Sequence, residues 1–336
     1  YNQMKNKLIN IIIIIVLTLV VLYFSLKDNY NEIITLLLNA DIRWLFIGYL
    51  FVLSYTFFKA IITNDIINKF RIYGFLKTFS LQIMTFFFNA VTPFSTGGQP
   101  FQIYVLKKNK VPISDGTNII MQESIIHQIA VIVVGFITLT LNWIFKICEI
   151  EGIVLSFLII GFLVNVLVLG ILFLISYSKK VNKSLIKWFI NLLTVLRLVK
   201  NKQQLLTKLN KTIEDFTNNS KVLLKDKKRF IKLIGINCIA LFCLYVVPLT
   251  VLFSFGDYSS FDGITAIVLV SFVSIISSYI PLPGGMGGQE YLFILLFGFY
   301  VNKPLLSSLM LLWRFITYYL PMIIGAIIFN IKQKEI

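Results

Sequence analysis

The chain has 336 residues, of which 57% are hydrophobic and only 14% are charged. Soluble domains are about 45–50% apolar and about 25% charged, so this composition argues against a water-soluble enzyme and against a disordered chain. Lysine and arginine number 31 against 15 acidic residues, a net charge of +16 that is typical of nucleic-acid binding or of the cytoplasmic rim of a membrane protein. The long uncharged runs between the basic clusters favour the membrane interpretation.

Six apolar stretches are long enough to cross a membrane as helices, which takes about 20 residues. They comprise residues 8–26, 44–63, 117–142, 153–176, 231–254 and 305–329. The first stretch has the position of a signal peptide, but no small-x-small cleavage site follows it, so we expect an uncleaved anchor. Two further apolar stretches, 78–106 and 264–301, are interrupted by Pro and Gly.

The basic residues beside these stretches predict the orientation of the chain, because cytoplasmic loops are enriched in lysine and arginine. Lys5 and Lys7 place the N-terminus in the cytoplasm, and the basic C-terminal residues place the C-terminus there. The stretch 78–106 is basic at both ends, so we expect it to enter and leave on the cytoplasmic side as a re-entrant hairpin. The remaining crossings force 264–301 to start and finish on the opposite side. We therefore expect a multi-pass protein of the cell membrane with both termini cytoplasmic.

One segment carries most of the excess charge. Residues 177–232 hold 15 basic and 3 acidic side chains. Two explanations are open: a solvated cytoplasmic loop, or a surface that lies on anionic lipid headgroups, with the apolar residues 188–199 as an interfacial helix. Nucleic acid is not expected as a partner, because the sequence shows no separate domain to bind it.

Divided near residue 150, the chain gives the same order of elements twice. Residues 1–150 contain two spans, a hairpin and a span, beginning inside. Residues 151–336, which include the basic cytoplasmic segment 177–230, repeat that order beginning outside. The predicted fold class is an all-α polytopic membrane protein with six transmembrane helices and two oppositely oriented re-entrant hairpins in an inverted repeat, an architecture common among secondary transporters.

The two interrupted stretches share a short motif. The first reads Pro-Phe-Ser-Thr-Gly-Gly-Gln at 93–99 and the second Pro-Gly-Gly-Met-Gly-Gly-Gln at 283–289. Non-helical backbone at membrane depth persists only inside protein or beside a wet cavity, and glycine permits a tight tip. The helix after each tip is expected to present free N–H groups suited to a phosphate, unless each stretch is simply a kinked helix. The expected tip residues are Pro93, Gly97, Gly98, Pro283, Gly284, Gly285, Gly287 and Gly288.

Ionisable side chains inside apolar spans are candidate functional residues, because such a group near the bilayer centre costs roughly 2.5–3.5 kcal/mol. Glu123 and His127 share one helix face, and Arg314 occupies the equivalent helix of the second half, ahead of an expected kink at Pro321. We expect the acid to face the base and all three to line a headgroup path, with Arg314 meeting a phosphate. A structural ion pair with a satisfied histidine is the alternative. Glu290 is a candidate for the same cavity or for a helix cap. The candidate substrate-binding residues are Glu123, His127, Arg314, Glu290, Gln99, Gln289 and Tyr318.

Motifs for catalysis are absent from the sequence. It contains no Walker motif, and its single His has no Cys or Asp at the spacing of a triad or a metal site. We therefore expect neither enzymatic activity nor a metal or other cofactor.

Four stretches resemble a known family: NAVTPFSTGGQPFQIYVLKK, QES, PLPGGMGGQE and WRFITYYLP. They are similar to the lysylphosphatidylglycerol synthase transmembrane, or flippase-like, family, which includes the membrane half of the multiple peptide resistance factor. The resemblance runs from about residue 45 onward. Many members have Glu at the position of Gln99, and Arg at those of Gln102 and Ser124.

The resemblance implies the translocating half of such a factor, and synthase activity is not implied, because the sequence shows nothing like the cytosolic aminoacyl-transferase domain of the full factors. We therefore expect a flippase that moves a polar-headgroup lipid, an aminoacylated phospholipid or a glycolipid, between leaflets. Two alternatives remain open: a small-solute or ion-coupled secondary transporter, and a non-transporting membrane partner of a lipid synthase. The expected partners are membrane lipids, with a separate lipid synthase and a second copy of the chain as open alternatives.

Overall fold

The computed structural model describes residues 30–92, 95–148, 152–182, 226–278 and 287–332, and the single positions 184, 191 and 285. Every regular element in this part of the chain is a helix. The α-helices are Tyr30–Asn39 (α1), Ile42–Ile67 (α2), Phe75–Ala90 (α3), Gly98–Lys108 (α4), Ile113–Phe145 (α5), Gly152–Tyr177 (α6), Lys227–Tyr245 (α7), Val247–Ser254 (α8), Gly263–Ser277 (α9), Gly288–Phe297 (α10), Lys303–Arg314 (α11) and Leu320–Lys332 (α12), with a π-helical turn, Phe315–Tyr319, between α11 and α12.

Five of the described helical segments are long and apolar enough to cross a membrane. They are Ile42–Ile67, Ile113–Phe145, Val154–Tyr177, Lys227–Ser254 and Lys303–Lys332. Each coincides with one of the spans expected from the sequence. The expected first span, 8–26, lies outside the described residues, and so does most of the basic segment 177–230, including nearly all of the expected interfacial helix.

Short polar side chains begin several of these helices. Asp41, Asp226 and Asp262 each accept a hydrogen bond from a backbone N–H in the first turn of α2, α7 and α9, and Asn302 does the same for α11. Such caps satisfy N–H groups that have no partner within the helix. The helix boundaries at the ends of the apolar runs therefore follow from local sequence.

The interrupted stretch 78–106 forms two helices, α3 and α4, that pack side by side in opposite directions. The rings of Phe88 and Phe101 stack with their centroids 3.9 Å apart, and Gln102 Nε2 donates to Thr85 Oγ1 at 3.0 Å. Near the connection, the backbone N–H of Gly98 donates to Asn89 Oδ1. The order of these contacts, with earlier residues of α3 meeting later residues of α4, defines a helical hairpin.

The interrupted stretch 264–301 likewise forms two helices, α9 and α10, which belong to the largest buried apolar cluster. Phe272 and Phe293 are fully buried there, and the ring of Phe293 stacks on that of Trp313 in α11, with 4.6 Å between centroids. Of the expected tip residues, Pro93, Pro283 and Gly284 lie outside the described residues.

Two pairs of helix starts are separated by the same sequence offset. Gly98 and Gly288 begin α4 and α10, and Ile113 and Lys303 begin α5 and α11, so both pairs are equally far apart in the chain. Gly135 and Gly325 are related by the same offset. A side chain added at Gly135 in α5 would meet Ile275 of α9, and one added at Gly325 in α12 would meet the backbone of α3. Each of these glycines therefore allows close packing against a helix of one of the two interrupted stretches.

The last span contains the irregularity expected near Pro321, but as a π-helical turn. Residues Phe315–Tyr319 are π-helical, and the N–H of Leu320 donates to the carbonyl of Phe315, five residues earlier. Proline has no N–H, and its ring clashes with the carbonyl four residues before it, so a wider turn just ahead of Pro321 relieves both problems.

The charge distribution and the structure together predict on which side of the membrane the loops that contain Ser259 and Asn68 lie. The backbone N–H of Asp41 donates to the carbonyl of Ser254, so the start of α2 and the end of α8 share one face of the protein. Asn68 follows the other end of α2, about 39 Å away by helix rise. In a chain without its three natural cysteines, we expect Ser259→Cys to react with an impermeant maleimide in intact cells and Asn68→Cys to react only after permeabilisation. The opposite pattern would contradict the predicted orientation.

Candidate functional site: a polar cavity between the two hairpins

A cavity of about 520 Å³ is lined by residues of both interrupted stretches, called here the first hairpin (α3 and α4) and the second hairpin (α9 and α10). Ser95, Thr96 and Gln99 border it from the first hairpin, and Gly285 and Gln289 from the second. Helices α2, α3, α4, α5, α6, α9 and α10 all contribute to the wall. The remaining lining residues are Tyr55, Thr56, Lys59, Gln82, Thr85, Phe86, Asn89, Gln102, Ile120, Met121, Glu123, Ser124, His127, Gln128, Val131, Asn165, Val168, Leu172, Ser274, Ser277 and Ser278.

The strongest electrostatic contact on this wall is an ion pair between α2 and α5. Lys59 Nζ lies 2.9 Å from Glu123 Oε1, and both side chains are about nine-tenths buried. Gln82 Nε2 from α3 approaches both oxygens of Glu123, at 3.2 and 3.4 Å. Because either ion alone would be costly to bury, their close pairing accounts for two charges in the apolar part of the fold.

Amides and hydroxyls extend this polar wall. Gln82 Nε2 also donates to Thr63 Oγ1 at 2.7 Å, and Gln99 Nε2 lies 3.4 Å from Ser124 Oγ. His127 Nδ1 lies 3.2 Å from the side-chain amide of Asn237 in α7, within hydrogen-bonding distance. The histidine therefore both lines the cavity and contacts a neighbouring helix.

A second buried ion pair lies behind the second hairpin. Arg314 Nε donates to Glu290 Oε1 at 2.6 Å, and Arg314 Nη1 donates to Gln289 Oε1 at 2.7 Å. The ring of Tyr318 faces the guanidinium at 4.8 Å, and its hydroxyl donates to the carbonyl of Ala90, the last residue of α3. The region around the π-helical turn therefore contacts the second hairpin through Arg314 and the end of α3 through Tyr318.

The structure separates the candidate residues into two groups. Glu123, His127, Gln99 and Gln289 line the cavity, whereas Arg314, Glu290 and Tyr318 are not among the described residues that line it. The expectation that Glu123 faces Arg314 is wrong, because each has its own partner, Lys59 and Glu290.

Glu290 lies in the first turn of α10, where its buried carboxylate pairs with Arg314.

The first hairpin does not present free N–H groups at the start of α4, contrary to the expectation from the sequence. The N–H of Gly97 donates to Thr92 Oγ1 at 2.8 Å, and that of Gly98 donates to Asn89 Oδ1 at 2.9 Å. Side chains near the end of α3 thus satisfy the first donors of α4. A capped helix start has lost the donors that would hold a phosphate.

Lys59 is the main residue that the sequence analysis missed. It lies in the predicted span 44–63 and is an ionisable group in an apolar helix, the same signal that selected Glu123 and Arg314. Its partner belongs to a different span, far along the chain, so no local spacing connects the two. Gln82 and Gln102 are amides in an apolar stretch and give a weaker signal of the same kind.

The fold and the spans define the class of this protein: it is a multi-pass helical membrane protein. It belongs to the family described as "Lysylphosphatidylglycerol synthase TM region", whose model matches residues 9–325. A comparison with curated proteins finds no match. The family description is of a transmembrane region, which is consistent with a non-catalytic part of a protein. Among the described residues, no three His, Cys, Asp or Glu side chains come together as metal ligands.

The buried Lys59–Glu123 pair generates a stability prediction. Glu123→Gln leaves an ammonium group buried without its counter-ion, a change that costs about 3–5 kcal/mol in soluble proteins. We expect a clearly lower thermal midpoint in detergent for this variant and substantial recovery in the double variant Lys59→Met with Glu123→Gln. The exposed Lys108→Met serves as the control. Equal midpoints for the wild type and Glu123→Gln would show that the pair does not stabilise the fold.

The close approach of α4 to α3 generates a second prediction. A Cβ atom at Gly98 would lie 2.4 Å from Thr85 Cγ2 and 2.5 Å from Asn89 Oδ1, whereas one at Gly170 would have no neighbour within 4 Å. We expect Gly98→Ala to lower the thermal midpoint by more than Gly170→Ala, although both replace a helical glycine. Equal effects on the two midpoints would mean that the hairpin does not need this contact.

Proposed function

We propose that the protein is a flippase that moves a lipid with a polar headgroup between the two leaflets, with the headgroup passing through the cavity between the hairpins. A lipid-related role in the membrane fits the family and the helical membrane fold. The candidate lipids are aminoacylated phospholipids and glycolipids.

The observation that carries the proposal is the mixed chemistry of the cavity. Most of its lining is made of amides, hydroxyls and the Lys59–Glu123 pair. Helix α6 adds the apolar Val168 and Leu172 beside Asn165, and it belongs to the span with the highest mean hydropathy among the described spans, of which only 17% is buried. A lipid has the same division, because its headgroup needs hydrogen-bond partners while its chains can remain in the hydrocarbon.

The architecture proposed for this activity is an inverted repeat with re-entrant hairpins, divided near residue 150. The sequence offset shared by two pairs of helix starts, α4 with α10 and α5 with α11, supports it, and so do the contacts of Gly135 with α9 and of Gly325 with α3. Interrupted helices that meet at a shared cavity are a feature of transporters built from such repeats.

The proposed mechanism is alternating exposure of the cavity to the two leaflets. The first hairpin is tied to the π-helical turn by Tyr318, and the second is tied to the end of α11 by Arg314. Since both ties converge on one short segment, a shift there would move the two hairpins relative to each other. A π-helical turn can serve as the hinge, because its hydrogen bonds can return to the α-helical pattern.

A leaflet-exchange assay tests the proposal. The purified protein is reconstituted into vesicles with a fluorescent lipid, and an impermeant quencher is added from outside. We expect quenching to extend to the lipid of the inner leaflet, and Ser124→Trp to abolish that exchange because it fills the cavity. Thr140→Trp, on the exposed face of the same helix, is the matched control and should behave as the wild type.

Two results would contradict the proposal. One is the absence of exchange for any lipid of the candidate classes. The other is exchange that Ser124→Trp leaves unchanged, since the headgroup would then not use the cavity. Transport of a water-soluble solute, blocked by Ser124→Trp without any lipid exchange, would instead favour a small-solute transporter.

A further inference from the structure

The wall of the cavity is composed mainly of uncharged hydrogen-bonding groups. Among the described residues that line it, more than half have amide or aliphatic hydroxyl side chains, and only Lys59 and Glu123 are formally charged. Its volume of about 520 Å³ lies within the range of about 300–1,000 Å³ typical of small-molecule sites. The amide and hydroxyl residues are Thr56, Gln82, Thr85, Asn89, Ser95, Thr96, Gln99, Gln102, Ser124, Gln128, Asn165, Ser274, Ser277, Ser278 and Gln289.

The two charges on this wall compensate each other. Lys59 and Glu123 are 2.9 Å apart, and Gln82 supports the carboxylate. The nearby Arg314 is not part of the described lining and is held by Glu290 at 2.6 Å. A charged headgroup would thus find no counter-ion among these residues unless it broke one of the buried pairs.

One helix start beside the cavity is compensated as well. The N–H groups of Gly97 and Gly98, at the start of α4, are bonded to side chains of the first hairpin. The start of α4 therefore does not offer the uncovered positive potential that would select a phosphate.

We infer that the headgroup which this cavity accepts is uncharged and rich in hydroxyl groups, that is, the glycosyl headgroup of a neutral glycolipid. This inference rests on the proposed function. Every sugar hydroxyl is both a donor and an acceptor, so it can match amides and hydroxyls in any order around the wall. A net-charged headgroup, such as a phosphate or an aminoacyl ammonium, would be desolvated there without compensation.

Three lipids that differ only in the headgroup test this inference in the exchange assay. They are fluorescent glucosyl-diacylglycerol, which is neutral, phosphatidylglycerol, which is anionic, and lysylphosphatidylglycerol, which is cationic. We expect the neutral glycolipid to exchange about tenfold faster than either charged lipid. A factor of ten corresponds to roughly the free energy that one hydrogen bond contributes. Equal or faster exchange of a charged lipid would overturn the inference.

A charge-insertion variant tests the same point within the protein. Gln99→Glu adds a carboxylate without a counter-ion to the wall, so we expect slower exchange of the glycolipid and faster exchange of lysylphosphatidylglycerol. Asn39→Asp on α1, away from the cavity, is the matched control and should change neither rate. Unchanged headgroup preference in Gln99→Glu would overturn the inference.

The two proposals fail differently in these experiments. Exchange limited to a charged lipid refutes the glycolipid inference and leaves the flippase proposal standing. Exchange of none of the three lipids refutes both.

Discussion

One constraint governs this structure: a charged side chain among apolar helices needs a partner within the protein. The ion pair between Lys59 and Glu123 satisfies that constraint. Glu123 receives Lys59 from α2 and Gln82 from α3, so one contact holds three helices at the cavity. Arg314 and Glu290 likewise form a buried ion pair at the second hairpin. The start of α4 is satisfied within the protein in the same way, because Thr92 and Asn89 accept hydrogen bonds from its first N–H groups.

The two hairpins make contacts of the same sequence spacing but of different chemistry. Gln99 contacts Ser124, and Gln289 contacts Arg314, and each pair is separated by 25 residues in sequence. The first contact is between neutral groups, whereas the second involves a buried cation that also pairs with Glu290. The two sides of the site therefore differ, with neutral hydrogen bonding at the first hairpin and a buried ion pair at the second.

The spans and interruptions could be predicted because their signals are local. Five described helices match runs such as 117–142 and 231–254, since a long apolar sequence has no stable alternative to a helix in lipid. The breaks after Ala90 and Ser277 follow from Pro and Gly nearby. The π-helical turn ahead of Pro321 was foreseen only as a kink, because the helix can respond to a proline in several ways.

The sequence by itself determined that this is a helical membrane protein, where its described spans lie, and that Glu123, His127, Gln99 and Gln289 are polar residues beside interruptions or within spans. Only the tertiary structure decided the partners: Lys59 for Glu123, Glu290 for Arg314, and Asn89 for the start of α4. The physical reason is the distance along the sequence over which each kind of interaction acts. Helix formation and burial in lipid depend on neighbouring residues, whereas ion pairs and caps depend on which helices pack together, and that packing joins residues distant in sequence.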